Sequence, residues 1–223
     1  MPISNLRLLE EPHAVRILGD YGIPYPSNRF AKTREEAIQG AEELGYPVAL
    51  KIVSPQVIHK SDAGGVTVGL RNADEVGLGF VNMVGRVKKA IPEGQIRGVL
   101  VCREAHPGLE IIVGALADPV FGPTLMFGLG GIFTEVMRDV SFRVAPVKRV
   151  DVEEMIEEIK GYPVLAGLRG QRPRDLKALA NLILAVSRLV SERPEIKELD
   201  LNPVRLYERG LMVLDARIMA QQM

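Results

Sequence analysis

Apolar positions along the chain recur at two spacings, about every 3.6 residues and every second residue, and the alternation between them outlines the elements. Residues 11–21 carry the helical spacing and stop at Gly22, with Pro24 and Pro26 beyond. Thr33-Arg34-Glu35-Glu36 is a capping box, which predicts a helix running to Gly45. Residues 46–53 (YPVALKIV) form a strand pattern in which Lys51 interrupts an otherwise apolar run. A loop over 54–65 leads to a second strand at 66–70, and Asn72 caps a helix over 73–90. Strand patterns follow at 97–103, 109–116, 124–127 and 141–147, then a short helix at 151–160 capped by Asp151. The clearest helix covers 174–192, where Leu176, Leu179, Ala180, Ile183, Val186 and Val190 share one core-facing side. Two closing strands, 198–206 and 211–218, flank a turn containing Gly210. Strands and helices mix without a regular βαβ alternation, so the expected class is α+β. A break at 92–98 (PEGQIRG) divides the chain into lobes of residues 1–96 and 97–223.

Composition narrows the function. The 28 Lys and Arg balance 28 Asp and Glu, which argues against partners bound through bulk charge, so neither nucleic acid nor a membrane surface is expected. At 47% hydrophobic and 25% charged, the chain reads as an ordinary globular protein. Its one cysteine, Cys102, has no internal partner, no apolar run approaches the ~20 residues of a membrane span, and no signal peptide is apparent; a cytoplasmic protein is expected. Many of the 22 glycines sit in short clusters, Gly64-Gly65 and Gly128 to Gly131 among them, instead of in a linker.

Several strong motifs are missing. The glycines at 128–131 are not followed by the Lys-Ser/Thr of a phosphate loop, and the third glycine of GxGxxG is misplaced. Without CxxC, HExxH or GxSxG, zinc chemistry and a serine nucleophile elbow lose their usual signatures.

Two constellations remain. If the closing strands turn between Glu208 and Arg209, Asn202 faces Asp215, and Asp200 lies two residues along on the same side. A carboxamide and two carboxylates there are hard oxygen ligands suited to Mg²⁺, although an edge hairpin with polar residues facing water has the same pattern. The second is Lys51, which needs an anion inside an apolar strand, followed by the loop His59-Lys60-Ser61-Asp62-Ala63-Gly64-Gly65. That loop holds a second cation, hydroxyl and carboxylate groups, and a glycine pair able to approach phosphate. His59 is a base, a shuttle or a phosphoryl acceptor, or simply a solvated side chain.

Taken in order, Lys51, His59-Lys60-Ser61-Asp62-x-Gly64-Gly65-Val66, Gly108-x-Glu110-x-x-Val113-Gly114 and Asp118-Pro119-x-Phe121-Gly122-Pro123 resemble one family. Phe127-Gly128-x-Gly130-Gly131, Arg143-x-x-Pro146 and Asp200-x-Asn202-Pro203 with Asp215 continue the match over nearly the whole chain. The family is that of the β subunits of ADP-forming acetyl-CoA synthetases. The resemblance implies an ATP-grasp fold, two α+β lobes with the nucleotide held between them. It implies the reaction acetyl-CoA + ADP + phosphate = acetate + CoA + ATP, with a phosphoryl group relayed through His59 to ADP. By the same resemblance Lys51 reaches nucleotide phosphate, Gly64 and Gly65 cover the phosphates, Glu110 contacts the nucleotide, and Asn202 and Asp215 bind Mg²⁺. Asp200 falls where relatives help a mobile phosphohistidine segment to dock. Cys102 replaces the Glu or Gln common at the nucleotide-contacting hinge. The length has room for the two lobes and for no CoA-binding fold, so a CoA-binding α subunit in an α2β2 assembly is expected. Two other readings stay open, an ATP-grasp ligase that forms an acyl phosphate without phosphohistidine and a non-catalytic nucleotide-sensing subunit.

Overall fold

The structure, a computed structural model, describes residues 6–57, 59–131 and 139–221. Over these the chain forms two compact units, one of Glu10–His13 and Pro26–His106, the other of Met1–Leu9, Ala14–Tyr25 and Pro107–Met223. The fold class is the expected mixture of α and β, with one antiparallel sheet in each unit.

The first unit is built on four strands in the order β2 (Asn28–Ala31), β5 (Gly98–Arg103), β3 (Val48–Val53), β4 (Val66–Leu70). Helices α2 (Arg34–Leu44) and α3 (Ala73–Ala90) share a core with the sheet residues Val48, Leu50, Ile52, Val99 and Val101. Both helices start where their caps predict. Thr33 accepts from the Glu36 N–H at 3.1 Å, and Asn72 accepts from the Glu75 N–H at 2.9 Å. Strand alternation puts Lys51 and Cys102 on the sheet's other face.

The second unit carries seven strands. Their order is β1 (Leu6–Leu8), β11 (Ala216–Gln221), β9 (Ile196–Leu206), β6 (Leu109–Asp118), β7 (Gly122–Leu129), β8 (Val140–Val144), with β10 (Leu211–Val213) also paired to β9. In the first ladder Leu6 stands opposite Gln221. One face is covered by α4 (Arg149–Glu157), the short α5 (Tyr162–Ala166) and α6 (Leu176–Glu192), which share a core with Ile111, Val113, Phe127, Leu129, Leu199 and Leu201. Helix α1 (Glu11–Asp20) adds Ala14, Ile17 and Leu18 to that core, while its first turn groups with the other unit. Among the described residues no helix is long and apolar enough to cross a membrane.

Several expectations shift. The break at 96/97 falls just before β5, and β5 is paired on both sides, by β2 and β3, so the chain stays with the first unit through His106. Asp151 is not the cap of α4 but its third residue, accepting from the Lys148 N–H at 2.7 Å. The last predicted strand is two, β10 and β11, interrupted at Leu214 and Asp215. β1, of three residues, and β2, of four, are too short to show a period, and their ladders supply what their sequence lacks.

Candidate functional site

In the four-stranded unit the apolar strand β3 carries Lys51 inward. Its side chain is 10% exposed, and its Nζ lies 2.9 Å from Oε1 of Glu11. The other oxygen of Glu11 faces Nζ of Lys60 at 3.2 Å, and the Glu11 side chain is only 2% exposed. A buried ammonium group is costly unless an anion stands beside it, and Glu11 is that anion. Its position in the first turn of α1, where the helix dipole favours negative charge, adds to the carboxylate's stability.

Residues 59–65 are a tight turn closed by its own backbone. The Ala63 N–H donates to the His59 carbonyl at 3.2 Å, Gly64 to Ser61 at 3.0 Å, and Gly65 to Lys60 at 2.7 Å. The Gly65 carbonyl in turn accepts from the Ile52 N–H at 2.7 Å, which ties the turn to β3. Gly64 has φ +67°, a region that favours glycine, and a Cβ at Gly65 would stand 2.4 Å from Cγ2 of Ile52. Turn geometry and packing therefore account for both glycines, and both of their N–H groups are engaged inside the turn. The His59 side chain is exposed. Cys102 is buried in mid-sheet, opposite Asn28 on one side and Ala49 on the other, so it is an interior strand residue; the chain leaves the sheet only after Arg103.

In the seven-stranded unit the predicted hairpin register holds. Leu206 opposes Leu211, Leu201 opposes Ala216 and Asp200 opposes Arg217. Between these pairs the Asn202 N–H donates to the Asp215 carbonyl at 3.2 Å. Leu199, Leu201, Ala216 and Ile218 point into the core, so Asp200 and Arg217 lie on the sheet face away from α4 and α6. Asn202 follows Leu201 where the ladder with β6 is irregular, and Asp215 lies in the break between β10 and β11. Glu110 on β6 shares that face, with Oε1 3.6 Å from Nε of Arg205 on β9. Asn202 is exposed and Asp215 half-buried, with Oδ1 of Asp215 accepting from the Ala216 N–H at 3.1 Å. Asp200 faces Arg217, Oδ2 to guanidinium 3.8 Å, and the same guanidinium grips Glu198. The register that pairs Asn202 with Asp215 also pairs Asp200 with Arg217, so this partner was readable in the sequence.

Among the described residues no group of three or more His, Cys, Asp and Glu is arranged to hold a metal ion. Asn202 and Asp215, bonded backbone to backbone, instead offer one carboxamide and one carboxylate. That set fits Mg²⁺, which takes one or two protein oxygens and completes its shell with water and phosphate.

The hairpin is clamped from outside by Asp175, the cap of α6. Its Oδ1 accepts from the Ala178 N–H at 2.9 Å and its Oδ2 from the Gly210 N–H at 2.8 Å. The Gly210 bond first, then that of Ala178, holds the Asp175 carboxyl below its ordinary value.

Residues 4–219 match the model of the ATP-grasp domain family, and the chain belongs to that family. It is 50% identical over 212 residues to the β subunit of acetate–CoA ligase [ADP-forming] I of Pyrococcus furiosus, covering 95% of this chain and 91% of that one. Among solved structures it is similar to the Ca. Korarchaeum cryptofilum dinucleotide forming acetyl-coenzyme A synthetase 1 in complex with coenzyme A, Ca-AMPCP and HgCl+. That match has a TM-score of 0.94 and 49% identity over 96% of this chain and 94% of the other. A second structure of that synthetase holds coenzyme A and Mg-AMPPCP, with the phosphohistidine segment pointing towards the nucleotide binding site. It matches with a TM-score of 0.84 at 46% identity, over 96% and 93% of the two chains. Within the ATP-grasp family the chain thus takes its place among the nucleotide-binding β subunits of ADP-forming acetate–CoA ligases.

Proposed function

We propose that this chain, working in the cytoplasm with a CoA-binding α subunit in an α2β2 assembly, transfers a phosphoryl group through His59 to ADP. The observation that carries the reading is the exposed His59 at the head of a turn whose next residue, Lys60, is fixed to Glu11 beside Lys51. A neutral imidazole nitrogen attacks the phosphorus presented by the partner subunit, forming an N–P bond as the donor's bond breaks. An oxygen of the ADP β-phosphate then attacks the same phosphorus; the N–P bond breaks, ATP leaves and the imidazole is restored. Lys51 neutralises nucleotide phosphate, and the 59–65 turn, Gly64 and Gly65 included, sets the distance between phosphate and imidazole. Glu110 and the backbone near Cys102 hold the nucleoside, and Asp200, steadied by Arg217, receives the incoming phosphohistidine segment. Asn202 and Asp215 would hold Mg²⁺, which supplies charge neutralisation on the nucleotide phosphates.

The test is labelling with [γ-³²P]ATP and Mg²⁺. Acid-labile label is expected on the chain and none on His59→Ala. Nucleotide binding without label in the wild-type chain would instead mark a nucleotide-sensing subunit. Acyl-CoA ligation undiminished in His59→Ala would mark an acyl-phosphate route without the relay.

A further inference from the structure

We infer that Glu11 is a positioning residue for phosphoryl transfer, one carboxylate that fixes Lys51 with one oxygen and Lys60, the neighbour of His59, with the other. The inference rests on the reading above, in which Lys51 serves nucleotide phosphate and His59 carries the phosphoryl group.

Three segments far apart in sequence meet at this carboxylate: the first turn of α1, strand β3 and the 59–65 turn. Its oxygens lie 2.9 Å from Lys51 Nζ and 3.2 Å from Lys60 Nζ, and the side chains of Glu11, Lys51 and Lys60 are 2%, 10% and 12% exposed. Two ammonium groups share one carboxylate in a place with little water to screen them, so the three charges act strongly on one another. A phosphate of the nucleotide is the anion this reading brings to Lys51. The two lysines are also coupled. When phosphate draws charge from Lys51, the Glu11 oxygen that it shared is relieved, and the hold on Lys60 tightens. The carboxylate therefore links phosphate binding on β3 to the anchoring of the residue next to His59. Glu11 touches neither nucleotide nor the reacting phosphorus in this scheme; it acts through the two lysines.

Steady-state kinetics of the enzyme assembled with its CoA-binding subunit test the idea, with kcat expressed per folded active site. Lys51→Met is expected to raise KM for ADP, and Lys60→Met to lower kcat while KM moves less than about twofold. Glu11→Gln, which removes the charge shared by both, is expected to do both, by about tenfold in each parameter. Glu11→Asp keeps the charge on a shorter stem and is expected to shift both parameters the same way by less. A residue needed only for folding would lower the number of active sites and leave KM for ADP where it was. If Lys51→Met raises KM but neither Glu11 variant moves it, the inference fails and the reading of Lys51 stands. If Lys51→Met leaves KM unchanged, the reading of Lys51 fails and the inference goes with it.

Discussion

Replacing Asp175 tests whether the hairpin that carries Asn202 and Asp215 is held by helix α6. The carboxylate divides its two oxygens between the helix start, at Ala178, and the hairpin turn, at Gly210. Losing a good N-cap costs about 1 kcal/mol, and losing a second hydrogen bond to a charged group costs a further amount of about 1–2 kcal/mol. Asp175→Ala should therefore destabilise the seven-stranded unit by about 2–3 kcal/mol. For a chain of this size that is a fall in Tm of roughly 4–12 °C. Asp175→Asn caps a helix as well as Asp but has only one acceptor oxygen, so its Tm should lie between the other two. Acidity separates the cases further. Because the two bonds depress the carboxyl's pKa below 3.8, its contribution is complete above that pH and is lost as the pH falls through the folded-state value. Thermal melts followed by circular dichroism should thus show a gap between wild type and Asp175→Asn that is full at pH 7 and narrows below about pH 4. Equal melting temperatures for the three proteins at pH 7, or a gap that widens in acid, would refute this account of the clamp.

Gly65→Ala pushes a methyl group against Ile52, which is fully buried, and should cost about 1–3 kcal/mol in urea unfolding. Combined with Ile52→Ala, which removes the opposing Cγ2, the two costs should sum to less than their separate values. Asp215→Ala should weaken Mg·ADP binding by about tenfold or more in calorimetric titrations, with little change in titrations run in EDTA.

Much of this architecture was written into short-range patterns. Thr33, Asn72 and the apolar stripe of α6 place three helices because caps and 3.6-residue periodicity act within a turn or two of themselves. The closing hairpin was legible for the same reason, since one turn sets every pair from Leu206–Leu211 back to Asp200–Arg217. What stayed hidden depends on distant chain. A lysine inside an apolar strand announces that an acid must stand beside it, yet nothing near Lys51 says that the acid is Glu11, forty residues earlier. The interior place of Cys102 likewise comes from pairing with both β2 and β3, which no local pattern of β5 reveals. The glycine pair at 64–65 invited a phosphate reading, and its packing against Ile52 and Arg86 shows that the turn itself already demands glycine there.

The pairing of Leu6 with Gln221 gives the molecule a property that its linear order conceals. Cα atoms facing each other across antiparallel strands are about 5 Å apart, so the chain enters and leaves the seven-stranded sheet at one rim. The ladder contacts within the sheet do not depend on which of these two strands is translated first. A loop of a few residues between β1 and β11, with new ends opened in the 207–210 turn, would yield a circular permutant that keeps every strand pair. A segment joined before β1 or after β11 likewise starts from a single place on the surface, so whether it is attached in front or behind makes little difference to where it begins.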